Sequence, residues 1–466
     1  MKKIFLYGLF LSGVALFPSC EDFLEKEPPL YFTEEEVFSD PDRLDLAVNG
    51  LYLGIKSQYA LGGKIFVIVD NIGDDLINVA NNGYELTFTY DMKVDLARQE
   101  SYELWRYTYL AINRVNVFLK NIEENKEVAG ANYNRYVAEA KFIRALGYYY
   151  LHQIYTMPYV INPNAKSVVL RLQAEESLEN NNLARSSSEE VLNQILQDLS
   201  ASGDLPVGSG TEEYIVRATQ AAAEALRQRI YLLKGEWNNA IAAGEKITGY
   251  TLANDITSIF KAPYITSENI FSLPFDATNR PGQQYATGYY YIGGRSNEID
   301  AKTGIISING YGIPQDARIA ELTALNSDGG TLLTKYTSST YIDWLPIFRY
   351  AEILLNSAEA YFNTGNEAQA LALLKQVRTR SIAPENDIIN LDALSGNALK
   401  TAIINEKRLE FLGEGQRALD ILRRGETFVK QPGSAYELIV TPEANTNGYI
   451  WPIPQFERAN NKLIED

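Results

Sequence analysis

The stretch AEILLNSAEAYFNTGNEAQALALLKQVR, residues 351–378, reads as two helices joined at a glycine. Leu354, Ala358 and Tyr361 precede Gly365, and Ala370 and Leu374 follow it. Spacing of three and four residues puts each set on one face of a helix. The small Ala358 and Ala370 let the two helices approach closely, and Gly365 supplies the turn between them. The segment Ala221–Ile247 has the same build, with Tyr231, Gly235, Trp237 and Ala240 in matching positions.

Both segments resemble tetratricopeptide (TPR) helix pairs, which bury their apolar faces by stacking on neighbours. Working outward, Gln99–Asn121 places Tyr102, Trp105, Tyr109, Ile112, Val115 and Leu119 on one stripe. Asn132–Ile154 repeats this with Tyr136, Ala140, Ile143, Leu146 and Tyr150, and the two helices are candidates for a third pair. Ser188–Leu199 starts at a serine cap and carries Val191, Leu192, Ile195 and Leu199. Two long polar stretches interrupt the helices, Asp70–Asp95 and the Gly/Tyr/Asn-rich Ala277–Tyr341. Unstructured loops of this length are uncommon unless they are functional.

Composition narrows the chemistry. The net charge of −17 disfavours polyphosphate and nucleic-acid ligands. A single cysteine excludes an intramolecular disulfide and a thiolate zinc site. A single histidine, His152, excludes a multi-imidazole metal site, and its apolar helical setting marks it as a packed residue. No calcium-loop pattern is present around Asp70, Asn71, Asp74 and Asp75, so neither a metal nor a cofactor is expected. The chain is rich in tyrosine, with 31, and has 4 tryptophans. Many must pack in the core, and any surplus at the surface suits sugars or proteins.

The amino terminus reads as an export signal. Lys2 and Lys3 precede an apolar run from Ile4 to Phe17, and Ser19 stands before the lone Cys20. This grammar marks residues 1–19 as a bacterial lipoprotein signal and Cys20 as the lipidated first residue of the mature chain. The leader holds two lysines and no acid, so its removal takes the net charge from −17 to −19. No later stretch reaches the roughly 18 apolar residues of a spanning helix.

Several segments together resemble the SusD/RagB family of outer-membrane nutrient-binding lipoproteins of Bacteroidetes. They are the acidic start Cys20–Pro28, the helices WRYTYLAINRVN (105–116) and AEAKFIRALGYYYLHQIY (138–155), and FRYAEILLNSAEAY (348–361). NEKRLEFLGEGQRALDILRRG (405–425) and Trp451-Pro452-Ile453-Pro454, with Glu457 and Asn460, complete the set in family order. The resemblance implies a mainly α, SusD-like fold over residues 20–466: about four TPR-like helix pairs beside an irregular, loop-rich ligand-binding half. The TPR-like helices fall at about 99–156, 217–248 and 349–380, and the binding loops at about 70–95 and 277–341. It also implies a lipid-anchored protein on the outer face of the outer membrane. Such a protein captures an oligosaccharide, or a peptide in RagB-like relatives, and passes it to a SusC-like TonB-dependent transporter without catalysis. Trp105, Arg349, Glu352, Glu406, Arg408 and Arg417 are scaffold residues by the same resemblance, with Glu406 and Glu410 flanking Arg408 at helical spacing.

A glycan site needs exposed aromatic faces with fixed hydrogen-bonding neighbours. The two loops supply the candidates Tyr84, Phe88, Tyr90 and Asp91, and Tyr285, Tyr289, Tyr290, Tyr291 and Arg295. Two bland readings compete: a buried strand face through Tyr84, Leu86, Phe88 and Tyr90, and a plug of Tyr289–Tyr291 in the core. Trp344 reads as packing. A glycoside hydrolase would need two carboxylates roughly 5–9.5 Å apart, for which Asp74, Asp75, Glu298 and Asp300 qualify by type alone.

Overall fold

A computed structural model describes residues 32–80, 86–292, 296–430, 438–440 and 448–464. The helices that organise it are α1 (Pro41–Ile55), α2 (Ile65–Ile72), α3 (Gln99–Glu124), α4 (Tyr133–Tyr155), α5 (Ser188–Leu199), α6 (Gln220–Lys234), α7 (Trp237–Glu245), α8 (Tyr350–Asn363), α9 (Glu367–Ser381), α10 (Gly396–Glu410) and α11 (Arg417–Arg424). Their ends follow local chemistry. Asp40 accepts from the Asp42 N–H at 2.9 Å, with Pro41 opening α1. Ser187 and Glu190 form a reciprocal capping box at α5. Gly235 closes α6 at φ 72°, and Gly365 makes the α8–α9 turn at φ 83°, where a side chain would be strained.

The helices stack in sequence. α3 packs on α1 and α4, and α4 on α5. Gly147 of α4 sits against Ile112 and Thr108 of α3, so even a methyl group there would crowd Ile112 at 3.3 Å. α6 pairs with α7, α7 meets α8, and α8 packs on α9 and α10. One core cluster runs through α1 to α6 and the loop-rich half. A second, with Leu355, Leu374 and Ile403, lies among α8, α9 and α10.

The two long polar stretches are more ordered than their composition suggests. Asp70 and Asn71 are the last turns of α2, not loop. Beyond them β1 (Leu76–Asn78) pairs antiparallel with β3 (Asn297–Ile299). β3 pairs with β5 (Thr331–Leu333), and β5 with β4 (Thr323–Leu325), so the sheet order is β1-β3-β5-β4. The alternative of a strand through Leu86, Phe88 and Tyr90 does not form; Thr87–Tyr90 is one helical turn, entered through Leu86 at φ 64°. A two-stranded ribbon of β2 (Asn269–Leu273) and β6 (Leu345–Arg349) leads directly into α8, and β7 (Phe428–Lys430) pairs with β8 (Leu438–Val440).

Arg349, the last residue of β6, is 1% exposed. Its guanidinium meets Glu268 and Glu410 at 2.6 Å each and Glu414 at 2.7 Å. Arg318 reaches Glu406 at 2.6 Å and Glu410 at 3.0 Å, and Arg380 joins Glu268 to Glu410. Lys335 meets Glu414 at 2.6 Å, and Arg378 meets Glu406 at 3.0 Å. Burial alone would raise the Glu410 carboxyl, but Arg380, Arg349 and Arg318 carry it well below the usual carboxylate range.

The expected pairing of Glu406 and Glu410 with Arg408 is corrected by this network. Residues two apart point away from each other on a helix. The glutamates face Arg318, while Arg408 turns to Asp75 at 2.6 Å. Replacing Arg349 with methionine leaves three buried carboxylates short of a partner. We expect Arg349→Met to lose about 3–5 kcal/mol of stability in urea unfolding. A loss below about 1 kcal/mol, typical of an exposed pair such as Lys93–Asp91, would contradict the role assigned to it.

Candidate functional site

The two candidate loops meet at one place. A cleft of about 500 Å³ is lined by Leu86 and Phe88 from the first, Gln284 and Tyr285 from the second, and Lys64, Arg98, Gln99, Glu100 and Glu103 between them. Local sequence builds it closely. Lys64 immediately precedes α2. A methyl group on Gly63 would lie 2.9 Å from the Tyr285 carbonyl, so only glycine lets these backbones approach. Thr287 Oγ1 donates to the Gly63 carbonyl at 2.9 Å and fixes the junction. Glu100, Glu103 and Tyr107 recur at spacings of three and four along α3 and form one face of that helix.

Half-exposed aromatic rings continue the cleft across the surface. Tyr59 stacks on Tyr107 with centroids 4.5 Å apart and meets Tyr285 edge-on at 4.7 Å. The Tyr285 hydroxyl donates to Glu103 Oε1 at 3.1 Å, and the Gln99 amide donates to the same oxygen at 2.7 Å. The Lys64 ammonium stands 4.7 Å from the Tyr285 ring centroid. The Arg98 guanidinium lies 3.5 Å over Phe88 and also pairs with Asp95 at 3.2 Å. Further along α3, Tyr102 meets the exposed ring of Phe456 at 5.7 Å. Burial raises the Glu100 carboxyl, offset in part by its own backbone N–H, Lys64 and Arg98. Burial likewise lowers the Lys64 ammonium, against Glu103 and Glu100.

Of the residues read from sequence, Phe88 and Tyr285 line this cleft. Tyr84, Arg295 and Cys20 lie outside the described residues. Tyr289, Tyr290 and Tyr291 do not offer the exposed faces expected of them, being 6%, 0% and 1% exposed. The short helix Thr287–Tyr291 turns them into the core. There the Tyr291 hydroxyl donates to Asp70 at 2.7 Å and its ring stacks on Tyr336 at 5.9 Å. Tyr290 donates to the Gln284 carbonyl at 2.8 Å. Tyr90 is also buried, 4.0 Å beneath the Lys430 ammonium, whose own pKa burial pushes down to about 7. Asp91 is half-exposed and pairs with Lys93 at 3.3 Å, away from the cleft lining.

The acids considered for hydrolysis or for a cation have structural partners. Asp74 pairs with Arg417 at 2.6 Å, and Asp75 accepts from Arg408 and from the Ile305 N–H at 2.7 Å. Asp300 accepts from the Lys302 N–H at 2.8 Å, and Glu298 from Asn326 at 2.7 Å. Asp70 accepts from Tyr291 and the Gly415 N–H, and burial pushes its pKa up to about 8. These acids are buried or half-buried rather than solvated loop residues. Trp344 packs as expected, stacked on Tyr264 at 5.5 Å.

Comparison with known proteins places the chain. Residues 322–465 match the model of the SusD family, and residues 22–232 match the model described as starch-binding associating with outer membrane. A SusD superfamily protein of Bacteroides fragilis is 48% identical, with a TM-score of 0.89 over 92% of this chain and 100% of its own. The chain belongs to the SusD family. A SusD-like protein of Formosa agariphila is 23% identical over 96% of this chain and 95% of its own length. A structure described as a putative sugar binding protein of Bacteroides vulgatus shares the fold at a TM-score of 0.78 and 23% identity, over 92% of this chain and 98% of that one.

The only histidine is part of the scaffold. His152 is 2% exposed, its Nε2 lies 2.7 Å from Ser188 Oγ, and burial pushes its pKa down to about 3. In the unfolded chain the imidazole takes up a proton below about pH 6.5. The folded-state pKa is the lower one, so this contribution to stability is complete above pH 6.5 and is lost as pH falls. We therefore expect the melting temperature of the wild type to fall more steeply between pH 7 and pH 4.5 than that of His152→Gln, by the equivalent of about 2 kcal/mol. Parallel profiles would show that His152 does not stay neutral in the fold.

Proposed function

We propose that this chain is a cell-surface glycan-binding lipoprotein that captures an oligosaccharide in the Phe88–Tyr285 cleft and delivers it to a SusC-like TonB-dependent transporter. The observation that carries the reading is the half-exposed Tyr59–Tyr107–Tyr285 cluster, bordered by Gln99, Glu103 and Lys64. Aromatic faces pack against the C–H faces of a sugar, and fixed amide, carboxylate and ammonium groups meet its hydroxyls. The family description, starch-binding associating with outer membrane, supports both the ligand class and the location. In this reading residues 1–19 are removed, lipid on Cys20 anchors the chain to the outer membrane facing outward, and residues 20–466 form one unit. The α6–α7 and α8–α9 hairpins serve as TPR-like scaffold for transporter docking. The protein binds its ligand without transforming it. Among the described residues no helix is long and apolar enough to cross a membrane.

The test is affinity electrophoresis of the mature chain from Glu21 through gels holding individual polysaccharides, with a peptide pool run in parallel. We expect retardation by one glycan class, weakened at least about tenfold by Tyr285→Ala and by Tyr59→Ala, with melting temperatures near that of the wild type. Binding to peptides alone would move the protein to the RagB-like peptide reading. Retardation unaffected by both substitutions would reject this cleft.

A further inference from the structure

The glycan reading leaves open which glycans the cleft accepts, and two charged side chains in it have unused hydrogen-bonding capacity. Glu100 Oε1 is shielded from solvent and has no hydrogen-bond partner among the described residues. The Lys64 ammonium is in contact with the Tyr285 ring but in no ion pair among the described residues, although Glu103 and Glu100 are near enough to act on it. The other charged groups of the cleft are already engaged. Glu103 accepts from Tyr285 and Gln99, and Arg98 is taken by Phe88 and Asp95. One acceptor and one donor therefore line the same cleft beside one aromatic ring, held apart from each other.

Resting on the glycan reading, we propose that Glu100 and Lys64 are the specificity-determining pair of this cleft and that they select an uncharged, hydroxyl-rich glycan. A sugar hydroxyl both donates and accepts. One hydroxyl of a sugar ring donates to Glu100 Oε1, while a neighbouring hydroxyl accepts from Lys64. Each group then gains the partner it lacks, and the ligand bridges the gap between them. A uronate or sulfate ester would meet Glu100 and Glu103 at close range, within a chain of net charge −17. An amino sugar would set its ammonium beside Lys64.

The experiment runs four proteins, wild type, Glu100→Ala, Glu100→Gln and Lys64→Ala, against three sets of polysaccharide in affinity gels. The neutral set is amylopectin, galactomannan and xyloglucan; the acidic set is polygalacturonate and heparin; the amino-bearing probe is chitosan. Tyr285→Ala is run beside them, and thermal unfolding checks every variant. We expect the wild type to be retarded by a neutral polysaccharide only. Glu100→Ala and Lys64→Ala should each weaken that binding about tenfold or more, the scale of a lost hydrogen bond to a charged group. Glu100→Gln, which keeps an acceptor oxygen, should stay within about threefold of the wild type. Retention on an acidic polysaccharide that depends on Lys64 but not on Glu100 overturns the proposal, and so does retention on chitosan that depends on Glu100 alone. If Tyr285→Ala abolishes neutral binding while Glu100→Ala and Lys64→Ala leave it intact, the pair is rejected and the glycan site stands. If no polysaccharide retards the wild type, or Tyr285→Ala has no effect, the site reading falls and this inference falls with it.

Discussion

The guanidinium of Arg349, enclosed by Glu268, Glu410 and Glu414, is the junction on which both halves of the molecule depend. It stands where β6 becomes α8, so the carboxylates around it fix the β2–β6 ribbon against α10 and its C-terminal turn. Buried ion pairs are not a general source of net stability, because desolvation cancels much of the attraction. Breaking one is costly, however, and charge pairs tolerate few alternative geometries. We read the network as a device for orientation: Arg318, Lys335 and Arg378 extend it so that the loop-rich half can dock in one way only. The same logic continues through α2. Asp74 and Asp75 pair with Arg417 and Arg408, and Asp70 accepts from Gly415. These contacts hold α2 on α10 and α11, and α2 begins one residue after Lys64 in the cleft.

Tyrosine has two roles here. Inside, it is a large apolar side chain with one polar tip, and each tip needs a partner. Tyr155 donates to the Ser101 carbonyl at 2.6 Å, Tyr109 to Val169 at 2.7 Å, Tyr148 to Arg171 at 2.8 Å and Tyr52 to Glu139 at 2.8 Å. These bonds stitch α4 to α3, α3 and α4 to the segment after α4, and α1 to α4. Of the tyrosines that the core leaves half-exposed, Tyr59, Tyr107 and Tyr285 come together beside the cleft. The candidate site is defined by where three of the tyrosines outside the core meet.

That division explains what the sequence could reveal. Helix positions were legible because apolar period and caps are local: Ser188–Leu199 stands where its cap placed it, and Gly235 and Gly365 close the hairpin turns. The family was legible from ordered motifs along the chain. The placement of Tyr289–Tyr291 was not, since the surfaces that bury these rings come from far away: Asp70 is 221 residues from Tyr291 in sequence. The Asp70–Asp75 segment looked like a solvated loop because its partners, Arg408, Gly415 and Arg417, lie more than 300 residues on. Tyr107 was within reach. It stands off the stripe of Trp105, Tyr109 and Ile112 and shares a helix face with Glu100 and Glu103, a pattern that marks an aromatic ring left at the surface. Tyr59 and Lys64 carried no such local signal, because only the close approach at Gly63 brings them to Tyr285.

A scaffold fixed by buried charge and a binding surface made of residual tyrosines form one account, and its centre is the cleft beside Tyr285. The most direct measurement is a crystal structure of the mature chain soaked with the oligosaccharide that its gel screen selects. We expect a sugar ring packed against Tyr285 or the Tyr59–Tyr107 stack, with hydroxyls at hydrogen-bond distance from Glu100 and Lys64. A sugar ordered elsewhere, for example beside Trp451 or Trp237, with the Tyr285 cleft empty, would contradict it.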